Sequence, residues 1–260
     1  MYKVGIIGYG FVGKAVAASY YMGFNMDYVI DPNVPEAKGT YEKMKDVDVV
    51  YICVPSPMKE DGECDTSIIS SVFDELRKIG YKGLIISKVT APPKYYKFLG
   101  EVHDNVVYVP EFLVAATATQ DYLRTSTHYI GCNNRAYALL AKDVLGECFM
   151  DCRYVFCTIE EASMLKYSIN SFLATKVVWM NELKDLCDRV GIDYGKVSGM
   201  MVQDSRIGRS HMQVPGPDGQ RGFGGACFPK DTNAFLTYAQ SADIMLSVLD
   251  SAVIKNNDYR

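Results

Sequence analysis

Along the first half of the chain, short unbroken apolar runs alternate with longer amphipathic stretches. VGIIG (4–8) leads straight into GYGFVGKAVAASY, YVID closes on Asp31, and DVDVVYICVP (46–55) ends in a proline-rich turn. GLIIS (83–87), VVYVP (106–110), HYIGC (128–132) and RYVFC (153–157) repeat the pattern, with a helical stretch near 66–79. Runs of this kind suit strands covered on both faces. Strands alternating with helices predict a doubly wound, Rossmann-type α/β domain on a parallel sheet, with RYVFC at or near its edge.

After Cys157 the period changes. Thr158 and Glu161 have the spacing of a capping box, and the helical pattern that follows runs over 158–190 before Gly191 stops it. A helix of about 32 residues is roughly 48 Å long and, apolar on more than one face, suits the spine of a helical domain or an oligomer interface. The remainder reads as helical except for the Gly/Pro-rich loop 204–226. Two domains are expected: the α/β half over 1–156 and a mainly helical half over 157–260.

Composition narrows the function. With 27 basic against 31 acidic side chains, the net charge of −4 argues against a nucleic-acid surface or a polybasic membrane anchor. No apolar run approaches the roughly 20 residues a bilayer demands, and the N-terminus lacks a signal peptide's layout, so a soluble cytoplasmic protein is expected. Eight cysteines without a CxxC pair, and only three histidines, predict reduced thiols and no metal site.

Gly8, Gly10 and Gly13 form a GxGxxG pattern between a strand and a helix. The first glycine permits the tight turn, the second admits a pyrophosphate, and the third lets helix and strand pack closely. Asp31 ends the second strand, where a carboxylate accepts ribose hydroxyls and repels a 2′-phosphate; NAD is therefore expected over NADP.

Two further places invite chemistry. Cys227 sits in GFGGACFPKD, behind three glycines and ahead of Lys230 and Asp231. A nearby cation raises a thiol's thiolate fraction, although a structural cysteine at a loop-to-helix junction fits the local sequence equally well. Lys166 and Asn170, at i and i+4 of the long helix, share a face beside apolar Leu165 and Ile169. A lysine there is costly unless paired, functional or able to snorkel.

Seven motifs occur in order: GYGFVG, CVPSP followed by DGECDTS, KVTAPP, VPEFL, KYSINSFLATKVVWMNE, RIG and GFGGACFPKD. With them the chain resembles the UDP-glucose/GDP-mannose dehydrogenase family over essentially its whole length. The resemblance implies an NAD-dependent four-electron oxidation of a nucleotide sugar at C6, with UDP-glucose to UDP-glucuronate as the leading reaction. Cys227 matches the nucleophile that forms a thiohemiacetal and then a thioester. Lys166, with Asn170, matches the group that stabilises negative charge on oxygen. Asp231 matches the carboxylate tied to the water or base function, Thr90 the threonine that positions it, and Glu111 a carboxylate at the edge of the site. Cofactor contacts carry over to Gly8, Gly10, Val12, Gly13, Asp31, Pro55, Ser56 and Thr90. Substrate contacts carry over to Arg206, Phe223 and Gly224, with Arg206 reaching across from the partner subunit in some members. The long helix matches the family's dimer-forming spine, so a homodimer is expected.

Some features depart from the family pattern. Members normally continue into a second α/β domain that closes over the nucleotide, whereas this sequence stops at SAVIKNNDYR, and a separate partner domain would then be needed to complete the clamp. Ala115 stands where many relatives carry a second acid, and the loop from Arg206 to Cys227 looks longer than usual. Two other readings remain open: a two-electron β-hydroxyacid-type dehydrogenase using Lys166 alone, and a non-catalytic NAD-binding protein completed by a partner.

Overall fold

The computed structural model describes residues 1–20 and 24–260. Strands form where the apolar runs predict them. They are β1 (Val4–Ile7), β2 (Val29–Ile30), β3 (Val49–Ile52), β4 (Leu84–Ser87), β5 (Val106–Tyr108), β6 (Thr127–Gly131) and β7 (Arg153–Cys157). They lie in the order β2-β1-β3-β4-β5-β6-β7, so β7 takes the edge as expected. The chain reverses its direction of travel across the sheet between β1 and β3, the position at which open α/β sheets bind ligands.

β1 to β5 are parallel, but β6 runs antiparallel to β5, with Tyr108 opposite Gly131, and β7 then pairs parallel to β6. The parallel sheet expected from the sequence is thus found with one departure, the β5–β6 pair. Helix α5 (Ala118–Leu123) in the β5–β6 connection packs against α1 (Phe11–Ser19) instead of crossing back over the sheet, and a strand entered that way pairs antiparallel.

Side chains alternate between two cores. Val4, Ile6, Val49, Tyr51, Leu84 and Ile86 pack beneath α1 and α6 (Arg135–Gly146). Ile7, Val50, Ile52 and Ile85 face α3 (Ser67–Lys78) and α4 (Pro93–Val102), with the one-turn α2 (Tyr41–Met44) at the margin. Fully burying each such side chain contributes about 1.5–3 kcal/mol, so the double cover fixes the strand ends from which the site is built.

The chain forms two compact units: Met1–Pro57 with Cys64–Lys166, and Met58–Glu63 with Tyr167–Arg260. The sequence places the break after residue 156. In the structure Ile159 and Ala162 belong to the sheet's core, and the units part inside α7 (Ile159–Val190). That helix starts on the predicted capping box, with Thr158 N–H donating to Glu161 Oε2 at 2.7 Å and Glu161 N–H to Thr158 Oγ1 at 3.2 Å. After 32 residues it stops at Gly191, whose φ of 74° suits a residue without Cβ.

Within the second unit, α8 (Tyr194–Met201), α9 (Phe228–Gln240) and α10 (Ser247–Asn256) follow, and 204–226 is irregular as predicted. Its core gathers Ala174, Val178, Phe223 and Ala252, with a second cluster of Met180, Cys187, Tyr194 and Met212. Among the described residues no helix is long and apolar enough to cross a membrane.

Candidate active site

The glycine turn is built as its spacing requires. Gly8 has φ 93°, and a Cβ there would lie 2.6 Å from the Cys53 carbonyl carbon at the end of β3. A Cβ on Gly13 would lie 2.1 Å from Gly8 O, so the helix approaches its own turn as closely as backbone allows. Gly10 differs: a Cβ would meet nothing within 4 Å, and the residue caps α1 without a side-chain hydrogen bond. The N-terminus of α1 therefore presents backbone N–H groups to open space, which fits an NAD pyrophosphate. Asp31 Oδ2 accepts from Tyr9 N–H at 2.6 Å and Oδ1 from Asn33 N–H at 2.8 Å. Its carboxylate thus braces the turn and retains lone pairs for ribose hydroxyls. Val12 is half-buried in the first turn of α1, and Pro55 is exposed after β3. Ser56 donates to Thr90 O at 2.7 Å, which joins the CVPSP and KVTAPP turns.

Within the same unit the structure brings Lys166 and Glu111 together. Both are buried, the Lys166 ammonium donates to the Glu111 carbonyl oxygen, and it lies 3.4 Å from Oε1. Glu111 Oε2 accepts from Leu113 N–H at 2.7 Å, and the Phe112 ring covers the ammonium at 5.0 Å. The lysine is held as a fixed, partly dry positive charge, which is worth far more to a developing oxyanion than a mobile one in water.

Lys88, in the KVTAPP motif, is a residue that sequence reasoning passed over. It is buried at the end of β4, its ammonium has no hydrogen-bond partner among the described residues, and burial lowers it to about 8. The neighbouring Cys53 thiol is pushed up to about 12 by burial, against the pull of Lys88. Its place directly after an apolar strand put it at the sheet's C-terminal edge, but nothing local decided between burial and snorkelling.

In the second unit, Cys227 occupies the N-cap of α9, with Asp231 N–H donating to its carbonyl oxygen at 2.8 Å. Asp231, only 1% exposed, is clasped from two sides: Asn170 donates to Oδ2 at 2.6 Å, and Lys230 contacts Oδ1. The predicted Asn170 and Asp231, both buried, thus form one cluster with the half-buried Lys230.

The predicted substrate-side residues are placed differently from one another. Arg206 is exposed and holds Asp204 in a two-pronged ion pair, with Nε 2.9 Å from Oδ1. Phe223 is buried in the core, and its backbone pairs with the Asn256 side chain through N–H···Oδ1 at 2.7 Å and Nδ2–H···O at 3.0 Å. Gly224 lies against the Arg260 guanidinium, where a Cβ would come within 2.8 Å of Cζ. Asn256 and Arg260 thus staple the loop ahead of Cys227, a role that nothing in their own local sequence announces.

Known proteins are similar to this chain. Residues 25–148 match the NAD binding domain of the UDP-glucose/GDP-mannose dehydrogenase family, and residues 160–258 match its central domain. UDP-glucose 6-dehydrogenase of Rickettsia typhi is 34% identical over 225 residues, covering 83% of this chain and 50% of that protein. UDP-glucose 6-dehydrogenase TuaD of Bacillus subtilis is 33% identical over 224 residues, covering 82% and 47%. A UDP-glucose dehydrogenase structure from Pyrobaculum islandicum superposes with a TM-score of 0.83 at 25% identity, covering 99% of this chain and 68% of that one. The chain spans about half the length of the curated relatives it matches.

Proposed function

The chain belongs to the UDP-glucose/GDP-mannose dehydrogenase family, and on that premise we propose that it oxidises a nucleotide sugar, UDP-glucose first among candidates, from the C6 alcohol to the carboxylate. Gly8, Gly10, Val12, Gly13 and Asp31 would hold NAD, with Pro55, Ser56 and Thr90 at the neighbouring strand ends. Bound NAD supplies a hydride acceptor for each of the two oxidations. The observation that carries the reading is Cys227 at the head of α9, one turn before an Asp231 fixed by Asn170 and Lys230.

The Cys227 sulfur adds to the aldehyde carbon, forming a C–S bond while the carbonyl electron pair moves onto oxygen. The Lys166 ammonium offsets that charge, and Glu111 fixes the ammonium's position. Loss of the C–H hydride from the thiohemiacetal, which bound NAD would accept, with re-formation of the carbonyl gives a thioester. Water then adds to its carbonyl carbon, breaks the C–S bond, and releases the carboxylate and the thiol. Asp231 and Thr90 are assigned to the water step, and Arg206 and Gly224 to the substrate side; buried Phe223 serves there by shaping the loop.

We also assign a homodimer through α7, because Phe172, Trp179 and Leu186 leave apolar side chains exposed along it. A cytosolic setting suits eight cysteines that form no disulfide. The test is NADH yield per mole of UDP-glucose, GDP-mannose or a UDP-N-acetyl sugar, for wild type and Cys227→Ser. Two equivalents, lost in the variant, support the proposal. One equivalent that survives the substitution would assign a two-electron dehydrogenase, and NAD binding without turnover a non-catalytic protein.

A further inference from the structure

The first unit contains a cavity of about 350 Å³ beside the Pro110–Leu113 turn, walled on its other side by residues 121–129. None of the residues assigned to NAD lines it, and Glu111 is its one link to the proposed reaction. Two of its lining residues carry buried polar atoms with no hydrogen-bond partner among the described residues, Lys88 Nζ and His128 Nε2, on side chains of residues 3% and 2% exposed. Arg124 stands exposed at the rim.

The wall carries Lys88 and Arg124 against Glu111 and Asp121, but both acids already have partners. Glu111 is engaged by Lys166 and by Leu113 N–H. Asp121 uses Oδ2 to accept from Val114 N–H at 3.1 Å and from the Thr117 hydroxyl at 2.7 Å. Glu111 is therefore committed to Lys166 and its own turn, and Asp121 to Val114 and Thr117. Counting Lys166 with Glu111, the lining presents Lys88 and Arg124 against Asp121 alone. The Lys88 ammonium lies over the Tyr122 ring at 5.1 Å, a weak substitute for a hydrogen-bonded counter-ion. A buried ammonium without a hydrogen-bonded partner is costly, and native structures seldom keep one without a use.

We propose that this cavity is a binding site for a small oxyanion, a carboxylate or a phosphate group, held by the Lys88 ammonium, His128 Nε2–H and the Arg124 guanidinium. Burial keeps His128 neutral at ordinary pH, so its Nε2 is available as a donor in the appropriate tautomer. The site depends neither on turnover nor on Cys227, so its failure and the failure of the proposed reaction are separate results.

Binding should follow the protonation of Lys88. Around that ammonium, Cys53 and Glu111 favour the charged form, Lys166 opposes it, and burial, the largest influence, brings it to about 8. His128 is the other titratable neighbour, lowered in turn by burial and by Lys88. Affinity is therefore expected to fall about tenfold or more between pH 7 and pH 9.5.

The experiment is calorimetric titration of the full chain with inorganic phosphate and, separately, with sodium acetate. Saturating NAD is present so that the glycine turn is filled. Wild type, Lys88→Met and Arg124→Ala are compared at both pH values, and retained NAD binding shows that each variant is folded. We expect one anion per chain, an affinity loss of about tenfold or more in Lys88→Met, and a smaller loss in Arg124→Ala, which lies at the surface and leaves the core intact. Acetate binding alone identifies a carboxylate ligand, and phosphate binding alone identifies a phosphate ester; either supports the site. No uptake of either anion at millimolar concentration, or uptake indifferent to both Lys88→Met and pH, would overturn the proposal and leave a water-filled cavity.

Discussion

Asn170 on α7 donates its side-chain amide to Asp231 Oδ2 on α9 at 2.6 Å, with both residues buried. The bond ties the long helix to the segment that begins at Cys227, and it provides one of the two side-chain contacts to a carboxylate shut away from water. Truncating Asn170→Ala leaves an oxygen of that carboxylate without a donor. The expected cost is about 1–3 kcal/mol of unfolding free energy at pH 7, read from the shift of a urea midpoint at constant slope. An unchanged midpoint would mean that solvent already reaches Asp231.

The three fingerprint glycines should separate in their effects. Gly8→Ala and Gly13→Ala place a methyl within 2.6 Å and 2.1 Å of backbone atoms, so both variants should melt well below wild type or fail to fold. Gly10→Ala has open space around its new methyl, so its melting temperature should stay close to wild type. The methyl instead occupies the approach to the α1 N-terminus, and NAD affinity should drop about tenfold or more, as for the loss of one close backbone contact. Fluorimetric NAD titration beside a melting curve distinguishes stability from binding; a Gly10→Ala variant with unaltered NAD affinity would remove the pyrophosphate from this turn.

Much of this was legible in local pattern, and the remainder depended on distant partners. Apolar runs located the strands, and Thr158, Glu161 and Gly191 marked both ends of α7, because strand burial and helix capping are decided within a few residues. The reversal of β6 was hidden, since its apolar pattern serves either direction and the path taken by α5 decides between them. Lys88 was hidden in the same way: snorkelling and burial look alike at the end of a strand until Tyr122 and His128, more than thirty residues on, arrive beside it. Phe223 was read as a substrate contact from its motif, whereas its burial follows from Ala174, Val178 and Ala252 on two other helices.

His128 gives the protein an acid-sensitive step. Its ring lies among Phe149, Tyr154 and Tyr122, and burial, aided by Lys88, lowers it from 6.5 to about 3. The unfolded chain therefore takes up a proton below about pH 6.5 that the folded chain refuses until about pH 3. This contribution to stability is complete above pH 6.5 and declines as the pH falls, by roughly 1.4 kcal/mol per pH unit inside the window. In His128→Phe, which keeps an aromatic ring in that cluster, this part of the slope should vanish. Urea unfolding at pH 7, 5.5 and 4.5 measures it, and parallel slopes for variant and wild type would show that His128 titrates normally.

The apolar stripe on α7 predicts an assembly that can be broken at the surface. Phe172, Trp179 and Leu186 recur every seven residues, two helical turns apart, and are 71%, 59% and 59% exposed. Large apolar side chains left open in register along one helix mark an interface more often than a solvent face. Joint replacement Trp179→Glu with Leu186→Glu places two carboxylates in that stripe without touching the buried side of the helix. Sedimentation should then change from dimer to monomer at micromolar concentration, with melting of the monomer shifted far less than a core substitution would shift it. Arg206, exposed and paired only within its own loop, adds a kinetic readout. If it serves a partner's site, the double variant should lose turnover steeply on dilution while still binding NAD. A wild-type chain that sediments as a monomer at the same concentration, or a double variant that stays dimeric, would rule out α7 as the contact.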